Sequence, residues 1–435
     1  MYIYKAAVVG GGTMGAGIAQ VITYSGLPVV VKEVSPQLVE KTLAVIRGIY
    51  QGRVDKGKMS LQELEAKMAL VTGTTSDDEL KDADVVIEAV PERLELKKQV
   101  FAELDGVCQP SAMLASNTSS LPISALAAAT KRPEKVVGIH FFFPAHVMKL
   151  IEIIPGLLTS QETVDDATAF AEGLRKLPVR VNECPGFLVN RLLMPYLNEA
   201  VYCLQEGIPA AQIEQAMTGL GWPMGPFTLV DALGLDVCAE VGRIMLEGYG
   251  PRMQPAELWE LLINAKRLGR KTGAGFYRYG DATPPPVLDP KDRPRDAAAG
   301  GKTGGGAKAA DAPSEDEALR GMIAQAQAKA GRKGAAFAPE RLMYAMVNEA
   351  ALALQEGISS PAEIDLAVVA GLGYPLDHGG ILHYADEVGV DTVLAGLDRL
   401  TRELGPRFHP AHRLRRMAAA GLTGTKTKRG FFDYA

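Results

Sequence analysis

The sequence predicts an α/β domain with a mostly parallel sheet, followed by two all-α domains that repeat each other. From residue 1 to residue 183, short apolar strands alternate with helical segments. Strands of this near-continuous apolar kind indicate a parallel sheet that is covered on both faces. In the rest of the chain, three sequence blocks occur twice in the same order, which predicts a duplication.

The elements of the first domain follow from its pattern of apolar runs. The first helix contains TMGAGIAQVITYS and ends at Gly26, a residue suited to a left-handed helix end. After the second strand we predict one long helical stretch that continues past QELEAKMAL. The predicted strands contain, in order, KAAVVG, LPVVVKEV, ADVVIEAV, AMLAS, VVGIHFF and KLIEII.

After NECPGF the pattern predicts helices only, so we place a first helical domain at residues 184–280 and its copy at 316–435. The first helix of this region contains Pro195, where we expect a kink. Residues 281–315 are rich in Pro, Gly, Ala and charge, and we expect a disordered linker there. The repeated blocks are RLLMPYLNEAVYCLQEGI with RLMYAMVNEAALALQEGI, GLGWP with GLGYP, and GRKTGAGFYRY with GTKTKRGFFDY.

Composition argues against several classes of function. A net charge of −5 and a pI of about 5.8 do not suit a nucleic-acid-binding protein. We expect no signal peptide and no membrane span. The four cysteines form no CxxC pair, so we predict no metal site and expect reduced thiols in a cytoplasmic protein. They are Cys108, Cys184, Cys203 and Cys238.

A glycine-rich segment predicts the cofactor site. VVGGGTMGAG places Gly10, Gly12 and Gly15 in a G-x-G-x-x-G pattern that follows a strand and opens a helix. By itself this pattern would indicate only a tight turn, but Glu33 also stands at the end of the next strand. An acid there accepts hydrogen bonds from an adenosine ribose and repels a 2′-phosphate, so the sequence predicts a Rossmann-type domain that binds NAD.

Polar residues follow three later strands, where ligands of such sheets bind. Glu92 follows VVIEAV, Ser119 lies in SNTSS after AMLA, and His140 ends VVGI. A lone histidine in an apolar strand is most often a core residue. A lone acid in such a strand, as Glu152 is in KLIEII, could lie at an edge of the sheet. Because separate strands deliver these groups to one rim of the sheet, we favour a functional role for His140.

Seven segments together resemble the L-3-hydroxyacyl-CoA dehydrogenase family, over nearly the whole chain except the linker. The duplicated helical domain looks most like the dehydrogenase half of multifunctional β-oxidation enzymes, without their hydratase domain. The resemblance implies NAD-dependent oxidation of a (S)-3-hydroxyacyl-CoA to a 3-ketoacyl-CoA in fatty-acid β-oxidation. The segments are GGGTMGAGIAQ, EAVPERLELK, ASNTSSLPIS, HFFFPAHVMKLIEII, CPGFLVNRLL, GWPMGPF and GRKTGAGFY.

The resemblance also assigns roles to single residues. It makes His140 the general base and Glu152 the acid that orients it, and imidazole has a suitable intrinsic pKa. Ser119 and Asn190 match residues that hydrogen-bond the reacting oxygen, and Lys56 resembles a lysine near the CoA phosphates. The residues that it assigns to the cofactor site, with the glycines above, are Met14, Glu92, Lys97 and Lys271.

The chain departs from the family pattern at two positions. Phe143 replaces a usual asparagine, for which we expect altered affinity or specificity but not loss of activity. The second helical copy has Glu340 where the first has Asn190, so we interpret residues 316–435 as structural. Single-copy relatives dimerise through the helical domain, and a copy in cis would make this protein a monomer or weak homodimer. A separate hydratase or thiolase could be its partner.

Three alternatives stay open at this point. His146 competes with His140, but it lies in a predicted loop and we interpret it as structural or substrate-adjacent. The chain could be a non-catalytic NAD(H)-binding relative, since the family includes a lens crystallin. Other hydroxyacid dehydrogenases also join a Rossmann domain to a helical one, but they commonly use a lysine as base, which fits His140 and Glu152 poorly. No motif indicates the acyl chain length.

Overall fold

The computed structural model describes residues 2–279, 316–330 and 337–435. Its chain forms two compact units, Met1–Leu188 and Val189–Ala435. The boundary between the units falls a few residues after residue 183, the predicted end of the first domain. The linker predicted at residues 281–315 lies outside the described residues, and the predicted domain limits stay predictions.

The first unit contains an eight-stranded sheet of strand order β3-β2-β1-β4-β5-β6-β7-β8. All neighbouring strands pair in parallel except β6 and β7, which are antiparallel. The mostly parallel sheet is therefore confirmed. The strands are β1 (Ala6–Val9), β2 (Val29–Lys32), β3 (Val71–Thr74), β4 (Val85–Glu88), β5 (Met113–Ser116), β6 (Val136–Phe141), β7 (Leu150–Pro155) and β8 (Leu177–Arg180).

Two of these strands, β3 and β8, are missing from the prediction. Both lie at the edges of the sheet, where one side of the strand has no neighbour. β3 reads VTGT and is only partly buried, and β8 reads LPVR with exposed residues at Leu177 and Arg180. Edge strands of this kind lack the continuous apolar run that marks a strand buried on both faces, so the pattern did not reveal them.

Six α-helices lie entirely within the first unit. The prediction of one long helical stretch after the second strand is wrong, because the structure has two helices there. The first of the two ends before Gly57, whose φ is +65°. Ser60 then starts the second, and its hydroxyl and the carboxylate of Glu63 form a reciprocal capping box. The helices are α1 (Thr13–Tyr24), α2 (Pro36–Asp55), α3 (Leu61–Met68), α4 (Leu94–Val107), α5 (Ile123–Ala127) and α6 (Gln161–Gly173).

Helix α7 (Phe187–Gln205) crosses the boundary and carries Pro195 inside it, as predicted. The described part of the second unit is helical apart from isolated bridges, which confirms the all-α prediction. Its other helices are α8 (Ala210–Gly219), α9 (Pro226–Leu233), α10 (Leu235–Tyr249), α11 (Glu257–Asn264), α12 (Glu317–Ala330), α13 (Glu340–Gln355), α14 (Pro361–Leu372), α15 (Ile381–Val388), α16 (Val390–Leu404) and α17 (His412–Ala419).

The duplication extends to individual hydrogen bonds. Asp231 in the first copy and Asp386 in the second are buried carboxylates that each accept two backbone N–H groups and one tyrosine hydroxyl from the end of their own copy. Such matched networks show that the two copies keep one fold even where their surfaces differ. The donors are Phe276, Tyr277 and Tyr279 to Asp231, and Phe431, Phe432 and Tyr434 to Asp386.

The two helical copies meet through reciprocal buried ion pairs. Arg191 on α7 and Arg341 on α13 occupy equivalent positions in the repeated block, and both are buried. Each binds two carboxylates of the other copy, as residues do across a two-fold interface between identical subunits. The pairs are Arg191 with Glu349 and Glu356, both at 2.7 Å, and Arg341 with Glu199 at 2.8 Å and Glu206 at 2.7 Å.

Candidate active site

The glycine-rich loop between β1 and α1 has no room for a side chain at Gly10 or Gly15. Gly10 has a φ of +94°, and a Cβ there would lie 2.8 Å from the carbonyl oxygen of Ala89. A Cβ on Gly15 would lie 1.8 Å from the carbonyl oxygen of Gly10. A Cβ on Gly12, by contrast, would meet open space, so the loop backbone is accessible where α1 begins, next to Met14. These features fit a dinucleotide pyrophosphate bound at a helix N-terminus.

Glu33 follows β2 and faces this loop. Its Oε1 accepts a hydrogen bond from the N–H of Gly11 at 2.5 Å, which fixes the carboxylate beside the glycines. The ammonium of the preceding Lys32 pairs with Asp77. Because Asp77 neutralises Lys32, the negative charge of Glu33 determines whether the site accepts a ribose diol or a 2′-phosphate. These residues fit NAD better than NADP.

We expect Glu33→Ala to raise the KM for NAD⁺ by about 10-fold or more, since hydrogen bonds to a charged group contribute about 1.5–3 kcal/mol. The KM for NADP⁺ should fall or stay constant, because the repulsive charge is removed. Initial rates with both cofactors measure the two values. A Glu65→Ala variant, which removes an exposed carboxylate on α3, is the control and should change neither. Equal changes for both cofactors in Glu33→Ala would contradict the assignment.

A buried acid that the sequence prediction missed organises the rim of the sheet. Glu88 ends β4 and is fully buried. It accepts hydrogen bonds from Lys97 Nζ at 2.6 Å and from the hydroxyl of Ser116, at the end of β5, also at 2.6 Å. An acid within the apolar run VVIEAV was the available signal. Lys97, which we predicted to contact the cofactor, is itself almost completely buried and neutralises Glu88.

Glu92 and Ser119 lie together above this buried pair. The Oε1 of Glu92 accepts hydrogen bonds from the Thr118 hydroxyl at 2.5 Å and from the Ser119 N–H at 3.0 Å. Its Oε2 lies 3.2 Å from Lys97 Nζ. Three predicted site residues, Glu92, Ser119 and Lys97, are therefore adjacent, and the loop after β5 is held against the loop after β4.

His140 and Glu152 face each other across the antiparallel pair β6 and β7, where they are directly opposed in register. The Nδ1 of His140 lies 2.7 Å from Oε2 of Glu152. The other carboxylate oxygen of Glu152 accepts the N–H of Leu188 at 3.1 Å. Glu152 is fully buried and His140 is 7% exposed, so the carboxylate is sequestered while the imidazole retains some access.

The surroundings of His140 fix the position of its ring. The ring packs against Phe142 at a centroid distance of 4.4 Å and against Phe187 at 6.0 Å. The next residue, Phe141, donates its N–H to Asn117 Oδ1 at 2.9 Å. This bond ties the end of β6 to the loop that carries Ser119, so the histidine and the serine belong to one rim of the sheet.

His146, the competing histidine, has a different environment. It lies in the loop between β6 and β7, and its pKa is lowered by partial desolvation of the ring and by the positive charges of Lys176, Arg53 and Lys56. Lys176 fastens this loop by donating to two of its carbonyl groups. The positive charges thus act on His146, whereas the ring of His140 lies against a carboxylate.

The remaining predicted residues lie in several places. Phe143 is 59% exposed on the same loop. Lys56 is exposed at the end of α2. In the second unit, Asn190 lies in the first turn of α7, and Lys271 binds Asp236 at 2.5 Å. The second copy repeats this last contact as Lys426 with Asp391 at 2.9 Å, which gives Lys271 a structural role within its own copy.

Two kinds of feature are absent from the described parts of the chain. No helix in residues 2–279, 316–330 and 337–435 is long and apolar enough to cross a membrane. Over the same ranges, no group of three or more His, Cys, Asp or Glu side chains is arranged to hold a metal ion.

Comparison with known protein families identifies the family to which the chain belongs. Residues 5–184 match the family model described as 3-hydroxyacyl-CoA dehydrogenase, NAD binding domain. Residues 186–279 and 337–434 both match the C-terminal domain of 3-hydroxyacyl-CoA dehydrogenase. The chain belongs to the 3-hydroxyacyl-CoA dehydrogenase family. The C-terminal domain of that family is present twice, and the predicted family and cofactor are confirmed.

Individual relatives agree with the family assignment. Fatty acid oxidation complex subunit alpha of Psychrobacter arcticus is 35% identical over 97% of this chain, which corresponds to 56% of that protein. The chain thus spans about half the length of the curated relatives it matches. 3-Hydroxybutyryl-CoA dehydrogenase from Escherichia coli is 30% identical in sequence, and its structure matches with a TM-score of 0.81. The match covers 97% of this chain and 99% of that one.

A shorter relative matches only part of the chain. The structure of (S)-3-hydroxybutyryl-CoA dehydrogenase PaaH1 from Ralstonia eutropha is 39% identical with a TM-score of 0.63. The match covers all of that chain but only 64% of this one. About a third of this chain therefore has no counterpart in that structure.

Proposed function

We propose that this enzyme oxidises (S)-3-hydroxyacyl-CoA to 3-ketoacyl-CoA with NAD⁺, using His140 as general base and Glu152 as the acid that orients it. The observation that carries the proposal is the 2.7 Å contact between His140 Nδ1 and Glu152 Oε2, at the rim of the sheet that also bears the glycine-rich loop. Imidazole titrates near ambient pH, which suits a group that takes a hydroxyl proton in one direction and returns it in the other.

Glu152 sets the tautomer of the base. As a carboxylate it accepts the Nδ1–H of His140, which leaves the lone pair of Nε2 free to take the proton of the substrate hydroxyl. The imidazolium that forms is then stabilised by the adjacent buried charge. A bound NAD⁺ would supply the acceptor for the hydride that leaves C3 as the C3–O bond becomes a carbonyl. The substrate thus loses one proton to His140 and one hydride to the cofactor.

Ser119 and Asn190 are the proposed hydrogen-bond partners of the reacting oxygen. Ser119 belongs to the loop that Glu92 holds in place, so its hydroxyl is positioned by the protein before substrate binds. Asn190 lies in the first turn of α7, where the helix dipole favours the partial negative charge that develops on that oxygen. Lys56, beside Arg53 and His146, is the proposed contact of the CoA phosphates.

The experiment that tests the proposal measures NADH formation with (S)-3-hydroxybutyryl-CoA and longer homologues. Turnover supports the proposal. NAD(H) binding without turnover on any acyl-CoA would instead favour a non-catalytic relative. The names of the relatives support a place in fatty-acid β-oxidation, in which a hydratase would supply the substrate and a thiolase would consume the product.

We further propose that the protein is a monomer or a weak homodimer, because the ion pairs of Arg191 and Arg341 already join two helical copies within one chain. Multi-angle light scattering is expected to give a mass near 46.3 kDa at micromolar concentration. A concentration series tests for weak association. A tight dimer that dissociates only on unfolding would contradict the proposal.

A further inference from the structure

The second unit encloses a cavity of about 620 Å³ between its two helical copies. Helices α7, α10 and α11 of the first copy form most of its wall, and residues of the second copy, among them Ala345, Asn348 and Phe408, contribute the rest. A volume of this size is typical of sites that hold a whole ligand or a large part of one. Its principal apolar side chains are Met194, Met245, Leu246, Met253, Trp259 and Ile263.

The charges around the cavity favour an uncharged occupant. Every one of the four basic side chains that line it has a carboxylate partner within the protein, so the described lining offers no unpaired cation to hold a phosphate or carboxylate head. Three methionines in the wall have flexible, polarisable side chains that adapt to an irregular apolar ligand. The pairs are Arg243 with Glu240 and Glu247, Arg252 with Glu349, Lys329 with Glu257, and Arg407 with Glu199.

Position 194 is one of several at which the first copy differs from the second here. Met194 lines the cavity, and the repeated block places Tyr344 at the equivalent position of the second copy. The ring of Tyr344 is 5% exposed and packs so closely on Gly396 that a Cβ there would lie 2.3 Å from it. The first copy has the smaller methionine at this position, so a larger side chain at residue 194 would reduce the space available in the cavity.

The cavity begins close to the proposed oxygen-binding residue. Asn190, Met194 and Asn198 are spaced four residues apart on α7 and so form neighbours along one side of the helix. Four residues rise about 6 Å along a helix axis. Met194 and Asn198 line the cavity, about one and two turns beyond Asn190 on the same helix.

We propose that this cavity binds the acyl tail of the substrate and that Met194 is a determinant of chain length. The proposal rests on the proposed function, because that function supplies an acyl-CoA whose uncharged tail extends from C3. It gives the second helical copy a direct part in substrate binding, since Ala345, Asn348 and Phe408 line the same cavity. Substrates with long tails therefore gain binding energy that short ones do not.

The first test exchanges Met194 for the residue found at its equivalent position. We expect Met194→Tyr to lower kcat/KM for 3-hydroxydodecanoyl-CoA about 10- to 100-fold relative to kcat/KM for 3-hydroxybutyryl-CoA, because the ring displaces several methylene groups. The control is Tyr344→Phe, which keeps its ring outside the cavity and should leave this ratio unchanged. An unchanged ratio in Met194→Tyr would overturn the proposal.

The second test detects binding of the acyl tail in the absence of turnover. The protein has two tryptophans: Trp259 lines the cavity, and Trp222 packs between Tyr196 and Tyr374. In Trp222→Phe, 12-bromododecanoyl-CoA should quench the remaining fluorescence of Trp259, and the unbrominated analogue should not. In Trp259→Phe, the brominated ligand should quench Trp222 much less. Equal quenching in both variants, or none in either, would overturn the proposal.

The two tests separate this inference from the proposed function. If the enzyme oxidises 3-hydroxybutyryl-CoA but the brominated ligand leaves Trp259 unquenched, the proposal that the cavity binds the acyl tail is wrong. The catalytic proposal then stands. If no acyl-CoA is oxidised but Trp259 is quenched selectively, the cavity binds the tail and the catalytic proposal fails. Circular dichroism and thermal melting of each variant confirm that the fold is intact.

Discussion

Replacing His140 with glutamine is expected to lower kcat for 3-hydroxyacyl-CoA oxidation by about 10² to 10⁴-fold, the usual contribution of a general base. Glutamine can still donate a hydrogen bond to Glu152, so the buried carboxylate keeps a partner. It cannot take up a proton near neutral pH, and the hydroxyl of the substrate then has no base. Binding of NADH, followed by its fluorescence, should be nearly unchanged, because the glycine-rich loop and Glu33 are untouched.

His146→Gln is the matched control for this variant. It makes the same chemical change in the same unit, but at a histidine whose pKa is lowered by burial and by the positive charges of Lys176, Arg53 and Lys56. We expect its kcat to stay within a few-fold of the wild-type value. An active His140→Gln variant would reject the mechanism, and an equal loss in both variants would show that the effect is not specific to His140.

The sequence was sufficient to predict the sheet and the cofactor loop, because both depend on local patterns. Buried strands require runs of apolar residues, and the loop requires glycines at Gly10 and Gly15, where a Cβ would collide with backbone. The edge strands β3 and β8 were not predicted, because half-exposed strands need no run of apolar residues. The break between α2 and α3 had a local signal in Ser60 and Glu63, which the prediction did not use.

Long-range pairing was harder to predict from the sequence. Glu88 and Ser116 end neighbouring strands and share a hydrogen bond, but this pair becomes apparent only when the strand order is known. Arg191 and Arg341 are visible as equivalent residues of a repeat, yet their exchange of carboxylate partners depends on how the two copies pack. The same holds for the cavity beside Met194, whose wall comes from helices that are distant in sequence.

The assignment of residue roles illustrates the same distinction. Lys271 was assigned to the cofactor site through resemblance alone, and the structure gives it a partner, Asp236, in a contact that the second copy repeats. A contact that both copies keep, although only one follows a nucleotide-binding domain, is explained by the helical fold. Its cofactor role stays a prediction.

The antiparallel register of β6 and β7 makes Glu152 the second residue whose loss should be severe. We expect Glu152→Gln to lower kcat by about 10² to 10⁴-fold, comparable with loss of the orienting acid in hydrolytic triads. Its amide NH₂ can donate to Nδ1 of His140, which would move the ring proton to Nε2 and remove the lone pair that accepts the substrate proton. The amide oxygen can still accept the N–H of Leu188, so the backbone contact survives.

A double variant separates this role from a purely structural one. If Glu152 acts only through His140, the His140→Gln/Glu152→Gln enzyme should be no slower than His140→Gln, because residues that act as a unit are not additive. Glu183→Gln is the control: this carboxylate also accepts a backbone N–H, from Ser124 at 2.9 Å, and its change should leave kcat within a few-fold. Two independent losses that multiply in the double variant would contradict the pairing, since each residue would then act on the reaction separately.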